Sequence, residues 1–219
     1  MFTSLYSFFR IFYDALLDVL FPLSVRASRV RTYTPDTLHA SPQTHTAFGM
    51  KILTLTRYRE CAIKNSIRAL KYEKSAHAAR LLSGLLTDYL IDTLSELSLF
   101  SNKEVILIPM PLFHTRKRAR GYNQIQLVLD QLSIQEPAVS IRPDLLKRTR
   151  DTPPQTKLSR HERLKNVRKA FETQSGVNYK NMHVFLIDDV TTTGATLREA
   201  AHALEKAGAK VTALAFARA

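Results

Sequence analysis

The chain is poor in the residues that staple or metallate small domains. One cysteine, Cys61, occurs in 219 residues. A single thiol forms no internal disulfide and no cysteine-based zinc site, a composition that fits a reducing, cytoplasmic setting. Acidic residues are also scarce: 19 Asp and Glu stand against 32 Lys and Arg, a formal charge of +13. That imbalance points to an anionic partner, whether polyphosphate, nucleic acid or a membrane surface, without choosing among them. No apolar run reaches the ~20 residues of a membrane span. Between Met1 and Leu23, Arg10, Asp14 and Asp18 interrupt an otherwise Phe-, Tyr- and Leu-rich stretch, which has no basic start and no small-residue cleavage site. It reads as an amphipathic helix, docked on the domain or else meeting a membrane surface or a partner, rather than a signal peptide. The seven histidines are scattered without metal-ligand spacing. There is no internal repeat and no low-complexity tract. With 45% apolar and 23% charged residues, the chain has the make-up of one globular domain plus a small extra segment.

What is present is organised around Val184 to Thr196, VFLIDDVTTTGAT. Val184, Phe185, Leu186 and Ile187 form an unbroken apolar run, as in a parallel strand buried on both faces. Asp188 and Asp189 follow, then a loop of small hydroxyl residues with one glycine: Thr191, Thr192, Thr193, Gly194, Ala195 and Thr196. A helix pattern starts there, with Leu197, Ala200, Ala201 and Leu204 on one face and Gly208 as its stop. A hydroxyl-rich turn at a helix N-terminus can hold a phosphate through its N–H groups and the helix dipole. Two carboxylates beside a phosphate repel it, so they require ribose hydroxyls or a divalent cation bridging to further phosphate.

These 13 positions resemble the PRPP-binding motif of type I phosphoribosyltransferases. The resemblance implies that Asp188 and Asp189 meet the ribose hydroxyls of PRPP, and that Thr191 to Thr196 hold its 5′-phosphate.

The remaining chain reads in order as follows. Residues 24–48 are polar and aperiodic and read as a linker or irregular arm. Met50 to Tyr58 reads as a strand. Glu60 to Tyr72 reads as a helix through Ile63, Ile67 and Leu70, with Cys61 as a small packing residue. Ala76 to Leu97 reads as a long helix, and Glu104 to Pro109 as a second buried strand. PMPLFHTRKRARGYNQ follows. Arg116, Arg118 and Arg120 sit in a basic loop before Gly121, and a helix runs from about Tyr122 to Leu132. Such a loop at the carboxyl end of a parallel strand lies on the ligand side of an open sheet, where its cations suit pyrophosphate. Residues 143–168 are basic and broken by Pro153 and Pro154, as in a mobile lid, with Arg160 and Arg163 placed to cover the site. Between residues 109 and 169, 14 Lys and Arg against five acids leave a net +9. Lys210 to Ala217 is the last strand.

Three segments are similar to the ComF family, phosphoribosyltransferase-like proteins associated with competence for DNA uptake. They are IRALKY (67–72), PMPLFHTRKRARGYNQ (109–124) and LLKRTRDTPPQTKLSRHERLKNVRKAF (145–171). The resemblance covers roughly residues 50 to 219. ComF-type proteins usually carry a cysteine zinc module ahead of this domain. LLDVLFP (16–22) resembles its lead-in, yet residues 23 to 48 contain no cysteine, so no zinc is expected.

The expected fold class is therefore α/β, type I phosphoribosyltransferase-like: a mainly parallel sheet flanked by helices over 49–219, with an N-terminal helical and irregular extension over 1–48. The resemblance implies PRPP or a related phosphoribosyl ligand with Mg²⁺, and transfer of the phosphoribosyl group to an amine. A second reading stays open: a single-stranded-DNA-binding protein of DNA uptake, meeting competence proteins and using the fold without turnover. No residue stands out as a general base, and no segment identifies an acceptor.

Overall fold

A computed structural model of the chain describes residues 25–100, 103–134, 139–151 and 167–219, with the side chains of 25–27 and 96–100 outside the description. Its frame is a six-stranded sheet of order β1-β2-β8-β7-β3-β4. The strands are β1 Gln43–Ala47, β2 Met50–Arg57, β3 Glu104–Pro109, β4 Val139–Ile141, β7 Met182–Thr191 and β8 Lys210–Arg218. All neighbours pair in parallel except β1, which runs antiparallel along the β2 edge. The parallel pairs are separated by helical crossovers, so every parallel strand ends at one carboxyl edge.

β7 lies between β8 and β3, and its residues 182–187 are all buried. Alternation sends its side chains to two cores. Phe185 and Ile187, with Leu214 and Phe216 of β8, meet helices α1 (Val25–Arg31), α2 (Cys61–Glu73), α3 (Ala76–Phe100) and α5 (Gln124–Leu129). Val184 and Leu186, with Ala213 and Ala215, meet α6 (Ala195–Ala207) through Leu197, Ala200, Ala201 and Leu204. The small residues of β8 let α6 approach closely. Gly208, at φ 109, ends that helix in the left-handed region, as its place in the sequence predicts. A separate two-stranded flap, β5 (Leu146–Arg148) with antiparallel β6 (Phe171–Thr173), packs beside α6.

The α/β class, the mainly parallel sheet and the flanking helices match the expectation. Four local readings need correction. The polar arm expected over 24–48 contains α1 and the edge strand β1, joined to β2 by a tight turn. There Phe48 and Gly49 both take positive φ, 49 and 76. QTHTA looks aperiodic because an edge strand buries little: only Ala47 of its five residues is buried. The basic loop around Arg116 is a short helix, α4 (His114–Arg120), with no buried residue and hence no apolar stripe to betray it. Gly121, in the left-handed region, closes it, so the next helix covers only Gln124–Leu129. Cys61 opens α2 and is exposed, so it does not pack. The helix expected over residues 1–23, and Arg160 and Arg163, lie outside the described residues.

Candidate functional site

β7 carries the site past its apolar run. At its carboxyl end, Asp188 and Asp189 leave the strand on opposite faces, as adjacent strand residues must. Asp188 shares a small cavity of about 70 Å³ with Val190, the loop 191–194 and the first turn of α6.

The loop is held from outside. Gly194 has φ 80 and forms the N-cap of α6. A β-carbon there would lie 2.5 Å from Ile52 Cδ1 and 2.8 Å from Ala47 Cβ. β2 and the edge strand β1 therefore press the chain into a shape only glycine can take. The Gly194 carbonyl accepts from the Arg198 N–H at 2.8 Å, and the Thr193 hydroxyl accepts from the Ala195 N–H at 3.4 Å. The carbonyl of buried Thr191 accepts from the Ala219 N–H at 3.0 Å. A short loop pinned on three sides, leading into a 13-residue helix, has the form that can hold an anion at a helix N-terminus.

The two carboxylates differ sharply. Asp188 Oδ1 accepts from the Asp189 N–H at 2.8 Å. Loss of hydration, reinforced by the neighbouring Asp189 charge, pushes the Asp188 carboxyl up to about 7, although Lys71 and Arg148 oppose the shift. Asp189 is only 4% exposed and is fully engaged. Lys71 Nζ lies 2.9 Å from its Oδ1, and Gln124 Nε2 donates to its Oδ2 at 2.7 Å. Arg120 donates in turn to Gln124 Oε1. Burial alone pulls the Lys71 ammonium down, but the Asp189 carboxylate outweighs it and the net shift is upward.

Tyr122 ties this network to the basic segment. Its hydroxyl lies 2.8 and 2.9 Å from the carbonyls of Leu70 and Lys71 and accepts from the Lys74 N–H at 3.1 Å. The end of α2, where Lys71 sits, is thus capped by the residue that follows Gly121. Asn123 completes the seam: Nδ2 donates to the Met110 carbonyl at 3.0 Å, and Oδ1 accepts from the Ile125 N–H at 2.9 Å. Tyr122 is half-buried, with its hydroxyl committed to the backbone.

The predicted cations separate in space. Arg120 joins the Asp189 network through Gln124. Arg116 lies near Arg148 of β5, and Arg118 is exposed. Sequence reasoning missed Lys71 and Arg148. The Arg148 guanidinium sits 5.5 Å from the Phe171 ring centroid. Burial and the nearby Arg116 lower its pKa, while Asp188 and Asp151 resist that shift. The clue for Lys71 was its place inside IRALKY. Arg148 had only a short alternating run, LLKR, hidden among many basic residues. The flap is anchored to α4 by the Thr115 hydroxyl, which donates to Asp151 Oδ2 at 2.9 Å. Its base is held by the Tyr179 hydroxyl, which donates to the Leu145 carbonyl at 3.0 Å.

Among the described residues, no group of three or more His, Cys, Asp or Glu could hold a metal ion, and no helix is long and apolar enough to cross a membrane.

A parallel sheet with a threonine and glycine cradle at its carboxyl edge and paired acids beside it defines a phosphoribosyltransferase-like domain. The family model for the phosphoribosyl transferase domain matches residues 126–218, from α5 to the end of β8. Competence protein F of Haemophilus influenzae is 39% identical over 103 residues, covering 47% of this chain and 44% of that protein. A DNA utilization protein of Escherichia coli O157:H7 is 32% identical over 143 residues, covering 65% of this chain and 61% of that one. The chain thus spans about half the length of the curated relatives it matches. A hypoxanthine phosphoribosyltransferase structure from Staphylococcus aureus aligns with a TM-score of 0.40 at 13% identity, over 64% of this chain and 63% of that one. The domain match shows a type I phosphoribosyltransferase-like domain, and with the segments at 67–72, 109–124 and 145–171 the curated relatives show that the chain is similar to competence protein F and the DNA utilization proteins.

Proposed function

We propose that this chain binds PRPP, or a close phosphoribosyl ligand, together with Mg²⁺ at the carboxyl edge of the sheet, and transfers the phosphoribosyl group to an amine. The observation that carries this reading is the pairing of the Gly194 cradle with Asp188, a carboxyl held up near 7 by its surroundings. An ordinary strand-to-helix turn gives no reason to keep such a group. A ligand that offers hydroxyls beside a phosphate does.

In this reading the N–H groups of Gly194, Ala195 and Thr196 and the hydroxyls of Thr191, Thr192 and Thr193 receive the 5′-phosphate. Asp188 accepts from a ribose hydroxyl. Asp189 reaches the second hydroxyl only if it leaves Lys71 and Gln124, so ligand entry exchanges the Lys71 ion pair for ligand contacts. Lys71, once freed, is a cation at the same edge, alongside Arg116, Arg118 and Arg120 from α4 and Arg148 from the flap. Arg160 and Arg163 are assigned to the lid segment. Among the described residues no group of three or more His, Cys, Asp or Glu could hold a metal ion, so Mg²⁺ would be held through ligand oxygens, between the pyrophosphate and the ribose hydroxyls. When bound, the ion would supply positive charge to offset that of the departing pyrophosphate. The chain's own task is positioning and electrostatic stabilisation as the C1–pyrophosphate bond breaks and the amine attacks C1. The direct test is pyrophosphate release from PRPP, screened against nucleobases and simple amines. Acceptor-dependent release, lost in Asp188→Ala, supports transfer, and the absence of release with every acceptor contradicts it.

A second reading is favoured by one observation, the names of the relatives, competence protein F and DNA utilization protein. In it, single-stranded DNA lies along the basic region at residues 109–169 and no phosphoribosyl transfer occurs. Its affinity should fall steeply with salt. A flat salt response rejects it.

A further inference from the structure

Gln124 is an uncharged side chain set between charges. It opens α5, the helix that follows the basic α4, and it is only 4% exposed. Its two amide atoms face opposite partners. Oε1 accepts from the Arg120 guanidinium, and Nε2 donates to Asp189 Oδ2 at 2.7 Å. An amide has one acceptor end and one donor end, so the cation on one side fixes which end meets the carboxylate on the other. Turned over, it would set its oxygen against Asp189 and its N–H groups against Arg120.

Asp189 therefore leans on two cations, one directly and one through an amide. Lys71 Nζ lies 2.9 Å from Oδ1, and Arg120 acts on Oδ2 by way of Gln124. The two cations are also close to each other, since the Arg120 charge works against the Lys71 ammonium. Two like charges flanking one carboxylate attract a polyanion. Arg120 can answer that attraction, because α4 has no buried residue to fix it and passes into Tyr122 through Gly121, at φ 79.

These contacts impose a coupling. An anion that draws Lys71 and Arg120 to itself takes one donor from Asp189 and unpins the other, leaving a buried carboxylate without partners, which is unfavourable. A ribose diol on its own must displace Lys71 and Gln124 while nothing receives the two cations. Each half of the ligand alone thus binds weakly. When both are present the anion receives the cations and the hydroxyls replace the donors that Asp189 gives up, so each half strengthens the other.

We propose that Gln124 is a positioning residue that sets ligand specificity: by tying Arg120 to Asp189 it makes anion binding and ribose binding mutually dependent, so the site favours a phosphoribosyl ligand with an anionic group on C1 over one without it. The inference rests on the phosphoribosyl reading of the site and adds to it the device that discriminates PRPP from ribose 5-phosphate.

The test is calorimetric titration of the full chain with ribose 5-phosphate, in the absence and presence of excess magnesium pyrophosphate, with PRPP titrated alongside. In the wild type, pyrophosphate should tighten ribose 5-phosphate binding about tenfold. In Gln124→Met and in Gln124→Asn the gain should fall to about threefold or less, the remainder being the direct Lys71 contact, while ribose 5-phosphate alone binds at least as tightly as it does to the wild type. The asparagine variant keeps the amide but is one methylene too short to span both partners, so the result does not depend on a methionine buried beside a carboxylate. A Gln124 that served structure alone would weaken every ligand in the variants and leave the gain unchanged, and that outcome overturns the proposal. A gain below about twofold in the wild type overturns it as well. If PRPP binds the wild type and no gain is seen, this inference falls and the phosphoribosyl reading stands; if PRPP does not bind, both fall.

Discussion

Asp188 and Asp189 are neighbours in sequence, yet they sit in two different regions of the molecule. On one face of β7, Asp188 borders an open cradle of threonines, and its carboxyl is raised because nothing fully replaces its lost water. On the other face, Asp189 is locked to Lys71 and Gln124 inside a network that reaches Arg120. One region is preformed and waiting. The other is closed by its own residues and must exchange partners before it can act. A pair of acids that looks like one motif is therefore one available group and one latched group.

The sharpest way to break the preformed side is Gly194→Ala. The added methyl meets Ile52 and Ala47 at 2.5 and 2.8 Å, and the backbone sits at φ 80. Overpacking and left-handed strain together should cost about 2–4 kcal/mol, read by denaturant titration. A loss below about 1 kcal/mol would show that the cradle is not pinned by β1 and β2. The latched side is tested by Lys71→Met, which leaves Asp189 buried beside Gln124 with no countercharge. Removing one partner of a buried pair costs about 3–5 kcal/mol. Because the Lys71 side chain is 23% exposed, a loss of about 2–3 kcal/mol is expected. Asp189→Asn in the Lys71→Met background should restore most of it if the cost is the stranded charge.

Tyr122→Phe should cost about 1 kcal/mol, since one hydroxyl serves the Leu70 and Lys71 carbonyls and the Lys74 N–H at the end of α2. The pH dependence of stability distinguishes the two acids. Asp188 binds its proton more tightly in the folded chain than at its ordinary value of 3.8. Between about pH 4 and pH 7 the folded state therefore holds the extra proton, and its stability falls as pH rises through that window. Asp188→Asn should flatten this slope and raise the melting temperature by a few degrees at pH 8. An unchanged slope would place the raised carboxyl elsewhere.

Much of the cradle side was legible in the sequence. A four-residue apolar run, two acids and a threonine loop with one glycine specify a buried strand, a turn and a helix start by strictly local rules. The latched side was not. Lys71 lies on α2 and Gln124 on α5, and nothing local announces that a lysine in IRALKY meets an acid at the end of β7. Edge and flap strands were hidden for a different reason. β1 buries only Ala47, and β5 and β6 are three residues each, too short for alternation to register. α4 has no buried face at all, so its basic residues read as a loop. Cys61 was misread because helical periodicity assigns a face but not the fraying first position, where it stands exposed.

The central claim, that the cradle and Asp188 form a phosphoribosyl site, is tested most directly by titrating PRPP with Mg²⁺ into the wild-type chain and into Asp188→Ala by calorimetry. Saturable binding in the wild type, at least tenfold weaker in the variant, is the predicted result. No binding in the wild type, or equal binding in both, would contradict it.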